Sequence, residues 1–357
     1  MSLLERLDAP PARVLDVEEP SVGLAAVVVI DHELFPKAAG GTRMVPDVTV
    51  EEVARLARAM TWKFAVCGVP YAGAKAGVRF AGGDRETVLS AFLERVAEWS
   101  DFFLTGPDMG TDPDDFLRFA DGPDPPMWAR RFEGMGMDDL AVGHGIRGAA
   151  EVALARLGRS LAGASVAIEG FGKAGAGTAR AFARAGTRVV GVSTLAGCAV
   201  GPDGLDVEEL LRLRTAYGDA LVQHVDGSAR APDELFTLEC DVLVPGARPD
   251  AIRRETAPTL RCAAVVPAAN IPYGPGAVEA LQERGILALP DFVTNAGGVH
   301  LYEAPECGDD PATCLAAIER LVAETTARVL DAAEADGVTP TAAALAFARE
   351  FLLAAAS

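Results

Sequence analysis

The stretch SVAIEGFGKAGAGTARAFARAGTRVVGVS, residues 165–193, constrains the fold more than any other part of the chain. It reads as an apolar strand, a glycine-rich turn, a helix and a second apolar strand. At its centre, Gly170-Phe171-Gly172-Lys173-Ala174-Gly175 has the spacing GxGxxG. That spacing means little alone. Between a strand and the start of a helix it is the arrangement a dinucleotide requires. The first glycine permits the tight turn, the second lets the backbone approach a pyrophosphate, and the third lets helix and strand pack closely. The helix N-terminus then offers partial positive charge to the phosphates. The cofactor implied is NAD or NADP. An acid at the end of the second strand usually holds the ribose of NAD. Here the strand ends Val192-Ser193-Thr194, with no acid and no arginine directly after it. Ser193 and Thr194 are placed beside the ribose, and the choice between the two cofactors stays open.

Short apolar runs follow at CDVLVPG (240–246), AAVVPAAN (263–270) and ILALPD (286–291), each ending in Pro, Gly, Asn or Asp. Buried parallel strands have this form, with their carboxyl ends at a ligand crevice. Residues 136–324 therefore read as a Rossmann dinucleotide-binding domain, opened by a helix at about 144–157.

The N-terminal part has another character. AAVVVID (25–31) reads as a strand and KAAGGTRMVPD (37–47) as a loop. Thr49 and Glu52 have the spacing of a capping box. Val53, Ala57, Met60 and Phe64 then recur at helical spacing, so 50–66 reads as a helix. A second helix is expected over 85–103, with Val88, Leu89, Phe92, Val96 and Trp99 on one stripe. Segment 121–137 is rich in Pro, Gly and Met and reads as a connector, with a boundary near residue 135. The C-terminal stretch has helical spacing at Ile318, Leu321, Thr325, Arg328 and Val329. The expected class is α/β in two domains. Residues 1–135 form a substrate domain, to which helices over 325–357 return.

A length of 357 residues fits two cores better than one. A net charge of −19 argues against nucleic acid or an anionic membrane surface as partner. MSLLERLDAP lacks the basic start and apolar core of a signal peptide. No run approaches the ~20 apolar residues of a membrane span. The six cysteines (67, 198, 240, 262, 307, 314) contain no CxxC pair, so no metal site is expected. Reduced thiols suit a cytoplasmic protein.

Residues 60–78, MTWKFAVCGVPYAGAKAGV, place Lys63 and Lys75 among apolar and small residues, where a lysine is costly to bury without a partner. Upstream lies GGTRM (40–44), downstream GPDMGT (106–111), and near the end PDFVTNAGGV (290–299). This set, in this order around a Rossmann unit, resembles the glutamate/leucine/phenylalanine/valine dehydrogenases over roughly residues 20 to 305.

The resemblance implies oxidative deamination of an amino acid to its 2-oxo acid and ammonia, and the reverse reaction. It makes Lys63 the anchor of the substrate α-carboxylate, Lys75 the catalytic amine and Asp108 the proton shuttle. Gly40 and Gly41 would shape a loop under the substrate. Ala269 and Asn270 would lie near the cofactor, and Asn295 near substrate or nicotinamide. The active site would be a cleft between the two domains, and the protein a homo-oligomer. Glutamate dehydrogenases of this family carry a lysine where this chain has Ala39, and a serine where it has Tyr302. Both handles for a second carboxylate are missing, so an apolar, aliphatic or aromatic, L-amino acid is expected. Two alternatives remain: a glutamate dehydrogenase, and a non-catalytic dinucleotide-binding paralogue. The second is raised by three departures. Ala72 and Ala76 stand at glycine positions beside Lys75, where added methyls are expected to restrict approach of substrate. Val142 stands where the family has a threonine. His144 is read as a structural residue at a helix start.

Overall fold

The computed structural model describes residues 9–119, 125–225, 230–303 and 309–355. Cys307 and the start of the 121–137 connector lie outside them. The chain divides into two compact units: one runs to Ala129 and resumes at Leu345, and the other is Arg130–Ala344.

The first unit is built on five strands: β1 (Arg13–Glu19), β2 (Leu24–Ile30), β3 (Ala38–Val45), β4 (Ala72–Arg79) and β5 (Phe103–Pro107). Their order is β1-β2-β4-β3-β5. β3 runs parallel to β4 and β5, whereas β2 is antiparallel to β1 and β4. β3 occupies most of the expected loop. Alanine and glycine are poor strand formers. The pairing here is imposed by a neighbour on each side rather than by propensity.

Helix α1 (Val50–Val66) covers one face of the sheet, where Val53 and Ala57 pack on Val27, Val29 and Val48. Met60, expected on that stripe, is only half-buried. Helix α2 (Arg85–Ala97) covers the other face with Val88, Leu89, Phe92, Leu93 and Val96. It ends before residue 103, and Trp99 packs on the cluster from beyond its end. Each strand therefore alternates between two apolar layers. On β4 this alternation is decisive. Ala72, Ala74, Ala76 and Val78 face α2, while Gly73 and Gly77 lie against α1. Lys75 has the parity of those glycines and points to the α1 face.

The second unit opens with a two-stranded hairpin, β6 (Arg131–Phe132) and β7 (Met135–Gly136), and helix α3 (Met137–Arg156). α3 begins seven residues before the expected start, so His144 lies inside the helix rather than at its start. Strand β8 (Ser165–Glu169), helix α4 (Lys173–Arg184) and strand β9 (Arg188–Thr194) follow as read from the sequence. The remaining strands are β10 (Gly197–Val200), β11 (Glu239–Pro245), β12 (Arg261–Val265) and β13 (Leu287–Ala288). Their order is β10-β9-β8-β11-β12-β13, all parallel except β10. The order reverses between β8 and β11, and there the carboxyl ends open a ligand crevice.

Helices α5 (Val207–Tyr217), α6 (Ala277–Glu283), α7 (Asp291–Thr294), α8 (Gly297–Glu303) and α9 (Pro311–Asp336) complete the unit. α9 is one continuous helix inside it, so the expected return from residue 325 begins only at Leu345, within α10 (Pro340–Ala355). Its buried stripe is Ile318, Val322, Thr326 and Val329; Leu321 and Thr325 flank it and Arg328 is exposed. Alanine on neighbouring faces blurs the phase of the pattern there. No single described helix is long and apolar enough to cross a membrane.

Candidate active site

In the first unit the chemistry gathers around Lys75. The side chain is 3% exposed, and its Nζ lies 2.9 Å from Asp108 Oδ2. Arg43, on β3, donates from Nε to the same oxygen at 3.0 Å. Its Nη1 reaches Glu52, in the first turn of α1, in a close ion pair. Thr49 accepts the Glu52 N–H at 3.2 Å, as a capping box requires. The Glu52 carboxylate does not complete the box; it binds Arg43, so that donor and acceptor are both charged.

Asp108 is held by its own turn. Its N–H donates to Thr111 Oγ1 at 2.9 Å, and that hydroxyl donates to the Thr42 carbonyl at 2.8 Å. Gly41 makes the approach possible, because a Cβ there would lie 3.2 Å from Lys75 Nζ and 3.0 Å from Asp108 Cβ. Gly40 and Gly41 are thus strand positions rather than loop positions. Burial lowers the Lys75 pKa and Arg43 adds to that, against the opposing pull of Asp108 and Glu52. Burial would raise the Asp108 carboxyl, but Lys75 and Arg43 overcome it and hold the group well below the usual carboxylate range.

Lys63 is also buried, at 7% exposure, near the end of α1. Ala39 is buried on β3, two residues from Gly41 and on the same face. The alanines at 72 and 76 point into the core beneath α2, so their methyls do not narrow the face that carries Lys75. That overturns the expected restriction and follows from strand alternation.

In the second unit the glycine turn has the geometry its spacing implies. Gly170 has φ +84°, and a Cβ at Gly175 would fall 1.9 Å from the Gly170 carbonyl oxygen. Gly172 caps α4 with nothing within 4 Å of where a Cβ would be. The ring of Phe171 is core at 2% exposure, so only its backbone is offered to a ligand. Lys173 and Ala174, both half-buried, form the first turn of α4.

Glu169, missed in the sequence, ends β8. Its Oε2 accepts the N–H groups of Gly246 and Ala247 at 3.0 and 3.1 Å, bracing the two walls of the crevice. Burial raises its pKa. Asn295 donates from Nδ2 to the carbonyls of Ala268 and Ala269, each at 3.2 Å, and to Asn270 Oδ1 at 3.1 Å. Asn270, Ala269 and Asn295 are therefore one cluster. Asn295 Oδ1 is buried with no partner among the described residues.

Ser193 and Thr194, at the carboxyl end of β9, are both buried. Ser193 Oγ accepts the Gly170 N–H at 3.4 Å, and the Thr194 hydroxyl donates to the Asp219 carbonyl at 2.6 Å. Just beyond the strand end, Leu195 is 90% exposed. His144 is bound to Glu319 through Nδ1 at 3.1 Å, and Arg147 pairs with the same carboxylate. Tyr302 is 42% exposed near the end of α8.

These features fit a nicotinamide dinucleotide. The open glycine turn at the start of α4 suits a pyrophosphate. The orphaned Asn295 oxygen needs a donor, and a carboxamide NH₂ is one. Among the described residues no group of His, Cys, Asp and Glu could hold a metal, and the five described cysteines are free thiols.

Two family profiles match the chain. The Glu/Leu/Phe/Val dehydrogenase dimerisation domain spans residues 12–122, and the glutamate/leucine/phenylalanine/valine dehydrogenase domain spans 134–348. The NADP-specific glutamate dehydrogenase of Saccharolobus shibatae is 30% identical over 277 residues, 73% of this chain and 65% of that protein. The chain thus spans just under two thirds of that relative's length. The glutamate dehydrogenase of Thermotoga maritima is 34% identical over 319 residues, 81% of this chain and 75% of that one. The solved hetero-hexameric glutamate dehydrogenase of Thermus thermophilus, in a Leu-bound form, superposes with a TM-score of 0.85 at 29% identity, covering 99% of this chain and 90% of that one. On sequence and fold together, the chain belongs to the glutamate/leucine/phenylalanine/valine dehydrogenase family.

Proposed function

We propose that the protein is an NAD(P)-dependent dehydrogenase of an apolar L-amino acid. The observation that carries the reading is the buried Lys75–Asp108 pair, 2.9 Å apart on a sheet face kept open by Gly41. The chain has only four lysines, Lys37, Lys63, Lys75 and Lys173, and meets its other cationic needs with arginine. An arginine cannot give up its proton, whereas a buried lysine can. That is the property a general base needs.

Lys63 would hold the substrate α-carboxylate, with Gly40 and Gly41 beneath the substrate. A nicotinamide held by Gly170–Gly175, Ala269, Asn270 and Asn295 would accept the hydride from Cα. Lys75 in its neutral form takes a proton from the water whose oxygen bonds to that carbon. Asp108 carries a proton to the nitrogen, and as the C–N bond breaks to release ammonia it takes the hydroxyl proton, leaving the carbonyl of the 2-oxo acid. The protein is then a homo-oligomer, assembled through the unit that matches the family's dimerisation domain.

Ala39 supports an apolar side chain. It shares a face with Gly41 and Arg43 on β3 and offers no cation to a second carboxylate. An unpaired buried carboxylate is heavily penalised. A second reading, glutamate dehydrogenase, is favoured by the names of the two curated relatives.

Oxidation of NADH and NADPH with ammonia separates the two readings. The panel is 2-oxoglutarate, 4-methyl-2-oxopentanoate, 3-methyl-2-oxobutanoate, phenylpyruvate and indolepyruvate. An apolar acid is expected to lead by at least about tenfold in kcat/KM. A lead for 2-oxoglutarate would select the second reading. Silence with all five, with NAD(P)H still bound, would point to another substrate or to a non-catalytic role. Ala39→Lys is expected to move the 2-oxoglutarate to apolar ratio upward by about tenfold or more, because the new ammonium pairs one substrate and is left unpaired by the other. An unchanged ratio would remove Ala39 from the specificity pocket.

A further inference from the structure

The Arg43–Glu52 pair has no role in the reaction as written above, yet it is the part of the site that touches Asp108 most directly besides Lys75. Arg43 is 6% exposed, and its two contacts are both carboxylates. The arrangement is asymmetric. Arg43 Nε and Lys75 Nζ converge on the same oxygen of Asp108, Oδ2. Among the described residues the other oxygen, Oδ1, accepts no hydrogen bond, and the side chain is 20% exposed.

We propose that Arg43 is a positioning residue for Asp108, and that Glu52 holds Arg43 in that position. Arg43 occupies Oδ2 permanently and so leaves Oδ1 for the proton that travels to and from the substrate nitrogen. It also keeps the carboxylate partnered when Lys75 loses its charge. Without Arg43, the neutral form of Lys75 would leave a buried carboxylate alone, and the pair would resist deprotonation. Glu52 is diverted from its capping role to fix the guanidinium in a fork that only arginine provides.

The sign of each charge on Lys75 follows from Coulomb's law. The ionisable groups around Lys75 are Asp108 after β5, Arg43 on β3 and Glu52 on α1. Arg43 favours the neutral amine and Glu52 favours the ammonium. Removing the first charge therefore raises the Lys75 pKa, and removing the second lowers it.

The proposal rests on the amino-acid dehydrogenase reading, so its test has a readout that needs no turnover. With four lysines in the chain, ¹³C-labelled lysine gives four side-chain signals, and Lys75→Ala assigns the one of interest. Titration of the full-length protein is expected to move the Lys75 midpoint up in Arg43→Gln and down in Glu52→Gln, by about half a unit or more. Arg43→Lys keeps the charge and should leave the midpoint near wild type. In kcat/KM against pH the rising limb should move in the same two directions. Arg43→Lys, with its fork lost, should lower kcat by about tenfold at unchanged NAD(P)H affinity. Shifts of one sign in both charge-removing variants, or no shift in either, would overturn the proposal. So would wild-type kcat in Arg43→Lys. Opposite titration shifts in a protein that turns over none of the 2-oxo acids would keep the Arg43 proposal for the Lys75 charge and sink the dehydrogenase reading alone.

Discussion

Lys75→Ala is expected to lower turnover by about 10²–10⁴-fold, the range for loss of a positioned acid–base group. NAD(P)H affinity should stay within about twofold, because the glycine turn and the Asn295 cluster lie in a different unit of the chain. Lys75→Arg is expected to be as inactive as the alanine variant. It keeps a cation beside Asp108, but that cation does not deprotonate. An active arginine variant would mean that Lys75 serves only as a charge. The wild-type pH profile adds a third constraint. Burial lowers the Lys75 pKa, so kcat/KM for deamination should rise with pH along a limb below the ordinary lysine range. Asp108, held low by its two cations, stays ionised across that range and contributes no limb of its own. Equal loss of turnover and of NAD(P)H binding in Lys75→Ala would contradict the assigned role.

The glycine turn and the helices α1 and α4 were legible because apolar period, cap and glycine spacing agreed over the same residues. β3 was not, because its Ala-Ala-Gly-Gly start carries no strand signal of its own and is ordered by β4 and β5. The early start of α3 was hidden by Gly143, Gly145 and Gly148. These three also have the spacing GxGxxG, yet they lie inside a helix. A Cβ at Gly143 would meet Gly177 at 2.4 Å and one at Gly148 would meet the Glu319 carbonyl oxygen at 2.5 Å, so they serve helix packing. Local context, not the motif, separates the two cases.

In the site, Lys75 and Asp108 could be placed from motifs and lie together. Arg43 and Thr111 sat inside those same motifs, but nothing linear says that Arg43 reaches Asp108 or that Thr111 reaches Thr42. Glu52 looked like a capping residue, and half of that role is real. The alanines at 72 and 76 looked damaging because a sequence does not display which way a strand residue points. One alternation along β4 turns them from an obstacle into core.

The second large effect is expected at Gly175. A methyl added there would sit 1.9 Å from the Gly170 carbonyl oxygen, far inside van der Waals contact. The obstacle is backbone, so no rotamer relieves it. Either the turn opens or α4 moves off β8, and both carry the helix N-terminus away from the phosphate position. Gly175→Ala should therefore weaken NAD(P)H binding by about 100-fold or more, since close backbone approach and the helix end act together on the pyrophosphate. Circular dichroism should stay near wild type, because most of α4's buried face, including Ala176, Ala179 and Phe182, is untouched. Gly172→Ala is the matched control for steric space. A Cβ there meets no protein atom within 4 Å, so the free protein should fold unchanged and any loss of affinity must come from the ligand itself. Tight NAD(P)H binding in both variants would mean that the cofactor does not lie on this turn. The failure of binding in Gly175→Ala, set beside intact binding in Lys75→Ala, would separate the cofactor-binding unit from the chemical one by experiment.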